Sequence, residues 1–353
     1  MKNIKIVHEN YTVEIEEPKL YLDNKSRGRS GHMSHAMTEF APGKYINFNA
    51  NCSGVFDDGH STYGWIEYRI SEDNGETYSP VYEFPYSKEA FLDGIFKVSV
   101  EKAVSTKENN IVALCLRNLG PCCSPWETPT VVISNDSGKS WGEPKEMCEF
   151  KGRIYDAIAH KGIIYALEFC NDGTKSFLGC EEEHLYRIFK SDDHGETFEE
   201  LCVVPFDTTK DRSYGAMLFD DNDNLHIFSY NRYDERNIDH IISTDFGKTW
   251  GKHHTNYLAK GIRNPQVALI DGIFIIHGRA EDEQGFIVYS STDCENFDEG
   301  TFVVEFKACC YYSNNILLKD KSGGNKLLIQ YSNPYNGHGH AVNLMHTNLR
   351  IVK

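Results

Sequence analysis

A single pattern, S-x-D-x-G-x-[ST]-aromatic, returns along this chain and restricts its fold more than any other feature. It reads Ser71 to Tyr78, Ser134 to Trp141, Ser191 to Phe198 and Ser243 to Trp250, with a degraded fifth copy from Ser291 to Phe297. The copies start 63, 57, 52 and 48 residues apart. Chemically the pattern is a hairpin turn, in which the Asp carboxylate caps turn amides, Gly takes a positive φ and the aromatic anchors the returning strand.

A second repeat lies between these turns. A polar or aromatic lead, an apolar alternation, a turn rich in Asp, Asn, Gly or Lys, and another apolar run recur from His35 to Phe48, Ser99 to Leu116, Tyr155 to Phe169, Ser213 to Tyr230, Asn264 to His277 and Tyr312 to Tyr331. Each reads as a two-stranded hairpin. Together the two repeats make six units of four strands, the pattern of an all-β, six-bladed β-propeller with antiparallel blades, occupying residues 1–353 as one domain. The orphan stretch Ile4 to Ile15 is expected to pair with Val342 to Val352 and close the last blade, removing an exposed edge. Strong helix patterns are absent.

Composition narrows the partners. Asp and Glu number 52 against 36 Lys and Arg, and the resulting −16 disfavours nucleic acid and anionic membranes. A small basic pocket inside such a protein would still select an acidic small ligand. No apolar run is long enough to span a bilayer and no signal peptide is evident, so a cytoplasmic setting is expected. The 11 cysteines are scattered without CxxC spacing, which suggests free, mostly buried thiols.

The repeated turns are similar to the Asp-box, or BNR repeat, of the sialidase superfamily, and the resemblance covers nearly the whole chain. It implies the six-bladed propeller above all, because the same box occurs in other glycosidases, in polysaccharide lyases and in glycan-binding propellers. The boxes are assigned to structure. The chemistry is expected where the innermost strands begin, since these converge at one end of the central axis. The residues leading into them are His32 and His35, Glu101 and Lys102, Tyr155 and Asp156, Arg212 and Tyr214, Arg263 and Asn264, then Tyr311 and Tyr312.

What the family implies is an arginine triad for a sugar carboxylate, a Tyr nucleophile backed by Glu, and an Asp acid/base. Tyr312, heading the last hairpin, looks like the nucleophile. Asp58, in Val55-Phe-Asp-Asp-Gly-His60, resembles the acid/base loop, although Asp-Asp-Gly is also an ordinary turn. Arg212 and Arg263 would be two arms of the carboxylate clamp, with Arg153, Arg29 or Arg279 as the third. The fourth unit reads Arg212-Ser-Tyr214 where a Glu is expected, leaving Glu101 to polarise Tyr312. Tyr214, Tyr155, Asp156 and His32 would contact substrate.

The leading expectation is therefore a sialidase-like hydrolase that releases a terminal acidic sugar from an oligosaccharide or glycan, without cofactor or metal. His32-Met-Ser-His35 also resembles the His-bearing first blade of propellers that act on uronate polysaccharides, where His35 and a Tyr would run a β-elimination or a glycosidase reaction. A binding propeller without catalysis is the third expectation. His32 and His35 would face opposite sides of a strand, and no third ligand is indicated.

Overall fold

In a computed structural model, residues 3–33, 35–53, 64–94, 97–119, 125–171, 185–206, 212–231, 233–320, 322–337 and 341–353 are described, Arg212 and Ser213 by backbone alone. Six antiparallel sheets follow one another along the chain. Their innermost strands are Met37–Ala41, Lys97–Val104, Gly152–His160, Arg212–Phe219, Arg263–Ile270 and Ser313–Lys319. Each packs on the next, and that of blade six packs on that of blade one. The ring is closed: a six-bladed β-propeller.

The last blade takes its outer strands from the other end of the chain. Thr12–Ile15 pairs antiparallel with Val342–Val352, Thr12 opposite Val352, and Ile4–Val7 adds a further strand outside it. Val13 and Ile15 are buried in the apolar layer between blades five and six. The expected closure is thus made by a hairpin rather than by one strand.

Alternating residues on each sheet fill the junctions between blades. Phe48, Val100 and Ala113 join blades one and two, while Leu167, Met217 and Ile227 join three and four. The repeated turns seal these junctions from outside. In the first, Thr77 donates its backbone N–H to Asp73 Oδ1 at 2.9 Å and its hydroxyl to Oδ2 at 2.6 Å, while Gly75 N donates to Ser71 Oγ at 2.8 Å. The other three full copies repeat this set. The glycines of all four sit at φ of +87°, +80°, +90° and +87°. The aromatic does more than hold its own strand: Trp141 packs on Phe48 and Phe84 of the preceding blade and donates to Tyr68 OH at 3.2 Å.

One helix departs from the sequence reading. Pro85–Asp93 is α-helical between blades one and two, started by a proline in its first turn and ended at Gly94 with φ +71°. Proline and glycine at these two ends are ordinary helix punctuation. The eight cysteines among the described residues are free thiols, five of them buried. No helix among the described residues is long and apolar enough to cross a membrane.

Candidate functional site

The innermost strands carry a shared irregularity at their heads. Glu101, Tyr155 and Tyr214 are each one residue too many against the neighbouring strand, and Asn264-Pro265 makes the same slip in blade five. In blade six the ladder keeps its register, and the lead is held instead by a side chain, with Tyr311 and Tyr312 both donating their backbone N–H groups to Ser332 Oγ at 3.1 Å. A bulge re-aims the side chain it displaces, here toward the axis. The backbone is strained in doing so, with φ of +50° at Tyr214, +55° at Asn264 and +72° at Tyr311. Left-handed backbone at a tyrosine costs about 1–2 kcal/mol and persists where surrounding structure enforces it.

These bulges surround an axial cavity of about 50 Å³, bounded by His35, Glu101, Arg153, Tyr214, Asn264 and Tyr312 among others. Tyr214 OH and Tyr312 OH meet at 3.3 Å, and the Tyr155 ring stands edge-on to Tyr214 with centroids 5.2 Å apart. Burial holds the Tyr214 phenol well above its ordinary value, with Tyr312 and Tyr155 adding to it. Arg153 Nε and Nη2 donate to one oxygen of Glu101 at 2.9 and 2.7 Å, and the guanidinium lies over Tyr155. Burial opposes the Arg153 charge, yet Glu101 and the three phenols outweigh it and secure the proton.

Several polar atoms on this wall are left over. Glu101 Oε1, Arg153 Nη1 and both amide atoms of Asn264 are buried with no hydrogen-bond partner. Each such atom costs about 1–3 kcal/mol, and a native fold carries few of them. A cluster at one cavity calls for a ligand rich in both donors and acceptors.

The remaining expected residues divide. Arg263 approaches the site from blade five, with Glu235 3.7 Å away. Of the three arginines weighed for the third arm, Arg153 bounds the axial cavity. Arg29 instead bonds Asn51 and covers Trp65, and Arg279 donates to the Cys309 carbonyl at 2.5 Å. His32 presents its ring edge-on to Tyr312, with centroids 4.8 Å apart. Asp58 lies outside the described residues, and the Arg212 side chain is not described.

Two candidates are committed to the framework. Asp156 takes Lys102 Nζ at 2.9 Å, its own following amide at 2.9 Å and Met217 N at 2.8 Å. Lys102 also donates to Gln266 at 2.5 Å and Asn314 at 3.1 Å, so this pair ties blades two, three, four, five and six beneath the cavity. His35 contacts the His32 carbonyl through Nε2 at 2.9 Å and receives Gln330 Nε2 on Nδ1 at 3.2 Å. Both ring nitrogens are engaged, and burial holds the imidazole down at about 4. What sequence reasoning missed is the partnership of Glu101 with Arg153. Only the spacing of Arg153 two residues before the Tyr155 lead hinted at it.

This architecture is that of known sialidases. A Hadza microbial sialidase superposes with TM-score 0.68 at 13% identity, covering 96% of this chain and 68% of its own. Trypanosoma rangeli sialidase, in a covalent-intermediate complex with 2,3-difluorosialic acid, gives TM-score 0.61 at 15% identity; the match covers 98% of this chain but 58% of that one. A protein of unknown function from Dyadobacter fermentans matches over 96% of this chain and 99% of its own, with TM-score 0.69 and 15% identity. No protein-family model and no curated protein matches the sequence. At such identities the likeness establishes the fold.

Proposed function

We propose that this protein is a glycosidase of sialidase type that releases a terminal acidic sugar. The observation that carries the reading is the unsatisfied wall of the axial cavity: Glu101 Oε1, Arg153 Nη1 and the Asn264 amide, beside the paired phenols of Tyr214 and Tyr312. A sugar carboxylate suits the guanidinium edge of Arg153, with Arg263 as a second cation. A sugar hydroxyl suits the open oxygen of Glu101. With only about 50 Å³ available, the carboxylate or one hydroxyl enters the cavity and the ring stays in its mouth.

In this scheme Tyr312 attacks the anomeric carbon, its proton passing to Glu101, and Asp58 protonates the leaving oxygen. Tyr214, whose phenol keeps its proton, orients the nucleophile by hydrogen bond. A neutral phenol avoids the repulsion that a carboxylate nucleophile would meet from an anionic sugar. Sialidase neighbours, one of them caught as a covalent intermediate, support this choice of chemistry.

One observation favours a second reading. Glu101, the carboxylate that bounds this cavity, is held by Arg153, and blade four offers Tyr214 where the sialidase resemblance expects Glu, so a glycan-binding propeller without turnover is the rival. Elimination from a uronate fares worse, because the engaged ring of His35 is a poor base. The experiment is a screen of aryl glycosides of sialic and uronic acids with wild type and Tyr312→Phe. Release of the aryl group by wild type alone supports the proposal. Binding without release favours the rival, and an unsaturated, ultraviolet-absorbing product from a uronate would replace both.

A further inference from the structure

Away from the axis, blade four carries a ladder of imidazoles, buried at His226 and His240 and half-buried at His254. His226 on Leu225–Asn231, His240 on Asn237–Ser243 and His254 on His254–Tyr257 lie on three adjacent strands. His226 Nδ1 is 2.9 Å from His240 Nε2, and His240 Nδ1 is 3.0 Å from His254 Nε2. Beyond the other edge, His226 Nε2 faces Asp220 Oδ2 at 3.4 Å. Against this ladder stands Cys294, from the degraded fifth turn of blade five. One donor atom from each of His226, His240 and Cys294 falls within 4.8 Å of the others, and all three residues are buried.

From this geometry we infer a structural metal site for a thiolate-accepting divalent cation of zinc type, bound by His226 Nδ1, His240 Nε2 and Cys294 Sγ. Two imidazoles and one thiolate are a donor set that zinc prefers over the hard cations. The surrounding groups are the outer partners such a site requires. Asp220 accepts the Nε2 proton of His226, which fixes the tautomer whose Nδ1 lone pair points inward. His254 stands on the far nitrogen of His240 in the same role.

The thiol is also fixed in place. Cys294 sits at φ +63°, its N–H donating to Ser291 Oγ at 3.0 Å and its carbonyl accepting Asn256 Nδ2 at 3.0 Å. Full copies of the turn have Gly at the next position. This copy has Glu295, and it is the one that offers a sulfur to the neighbouring blade.

Protons balance simply on binding. His226 keeps its tautomer, the His240 proton moves from Nε2 to Nδ1, His254 shifts its own proton from Nε2 to Nδ1 so that its Nε2 accepts from His240, and the Cys294 thiol gives its proton to solvent. Zinc–nitrogen bonds of about 2.0–2.1 Å hold two tetrahedral ligands about 3.4 Å apart, so the His226 and His240 nitrogens part by about half an ångström. A fourth position is left for water. This site stands apart from the axial cavity and from the proposed glycosidase reaction.

The test is titration of untagged, metal-free protein with Zn²⁺ against a chromophoric chelator, and with Co²⁺ as optical probe. Expected are one Zn²⁺ per chain, a thiolate-to-cobalt charge-transfer band, and affinity weakened at least about tenfold in Cys294→Ala and in His240→Phe. Cys202→Ser, in blade three, leaves binding unchanged. Absence of binding by wild type, or equal affinity in Cys294→Ala, overturns the site. Should the variants not fold, wild-type alkylation read by peptide mass decides: Zn²⁺ protecting Cys294 more than tenfold upholds the site, and equal labelling refutes it.

Discussion

The guanidinium of Arg153 places two N–H groups on a single oxygen of Glu101, at 2.9 and 2.7 Å, and leaves the second oxygen with no partner. Both side chains are almost wholly buried, at 5% and 8% exposure. A buried pair engaged on one side only is costly as architecture, and its open half faces the axial cavity.

Removing one member strands a buried charge, which costs about 3–5 kcal/mol. Arg153→Met is therefore expected to lower the unfolding midpoint sharply in denaturant. The double variant Arg153→Met with Glu101→Leu should regain most of that loss while staying inactive toward acidic aryl glycosides. A double variant no more stable than the single one would refute the pairing.

Tyr312→Phe removes the hydroxyl contact with Tyr214 and should cost about 1 kcal/mol in stability. Turnover of an acidic aryl glycoside should fall by several orders of magnitude. Tyr214→Phe, which leaves the nucleophile itself in place, should lower kcat less. The comparison is made by steady-state kinetics with circular dichroism as fold control.

Acid should weaken the fold through its neutral histidines. Burial lowers His35 from 6.5 to about 4, so the folded chain resists a proton that the unfolded chain accepts. That stability is complete above the unfolded value and is lost as pH falls from about 6.5 toward 4, at up to about 1.4 kcal/mol per unit. His277 and His346, each lowered to about 3 by burial, add loss of the same sign. Denaturation of His35→Gln across this range should show a shallower slope than wild type; an identical slope would contradict the neutral ring.

Glu168 works in the opposite direction. Burial raises its carboxyl from 4.5 to about 7, against the pull of Cys148 and Arg187, and Oε1 has no partner. A raised acid contributes fully below its unfolded value and loses that contribution as pH climbs from about 4.5 through 7. Glu168→Gln should raise the melting temperature at pH 8 and change it little at pH 4.5. Equal effects at both values would show that ionisation is not the cause.

Gly195 has φ +90°, and a Cβ there would meet both Val112 methyls at 2.8 Å. Gly195→Ala should cost about 1–2 kcal/mol for the left-handed backbone and about 1–3 more for crowding. Chemical denaturation measures the sum. A change below about 1 kcal/mol would mean that the turn relaxes away from blade two.

The fold was legible because its signals are local. Ser71, Asp73, Gly75 and Thr77 bond one another within seven residues, and that arithmetic repeats wherever the pattern does. The heads of the inner strands were legible as a set, and all six leads reach one cavity. Their partners were not. Asp156 reads as a site residue until Met217, 61 positions on, claims its second oxygen. His35 reads as a base until Gln330 arrives from the opposite end of the chain. The imidazole ladder escaped notice because its members stand 14 residues apart and its sulfur comes from the next blade.

Sequence alone determined the six-fold repeat, the turn chemistry and the closing of the ring by the two ends, since period and residue type act over short distances. Tertiary structure alone decided which polar groups were consumed by one another and which were left open. That outcome depends on hydrogen bonds and ion pairs between residues tens to hundreds of positions apart, and a chain read in order carries no record of those distances.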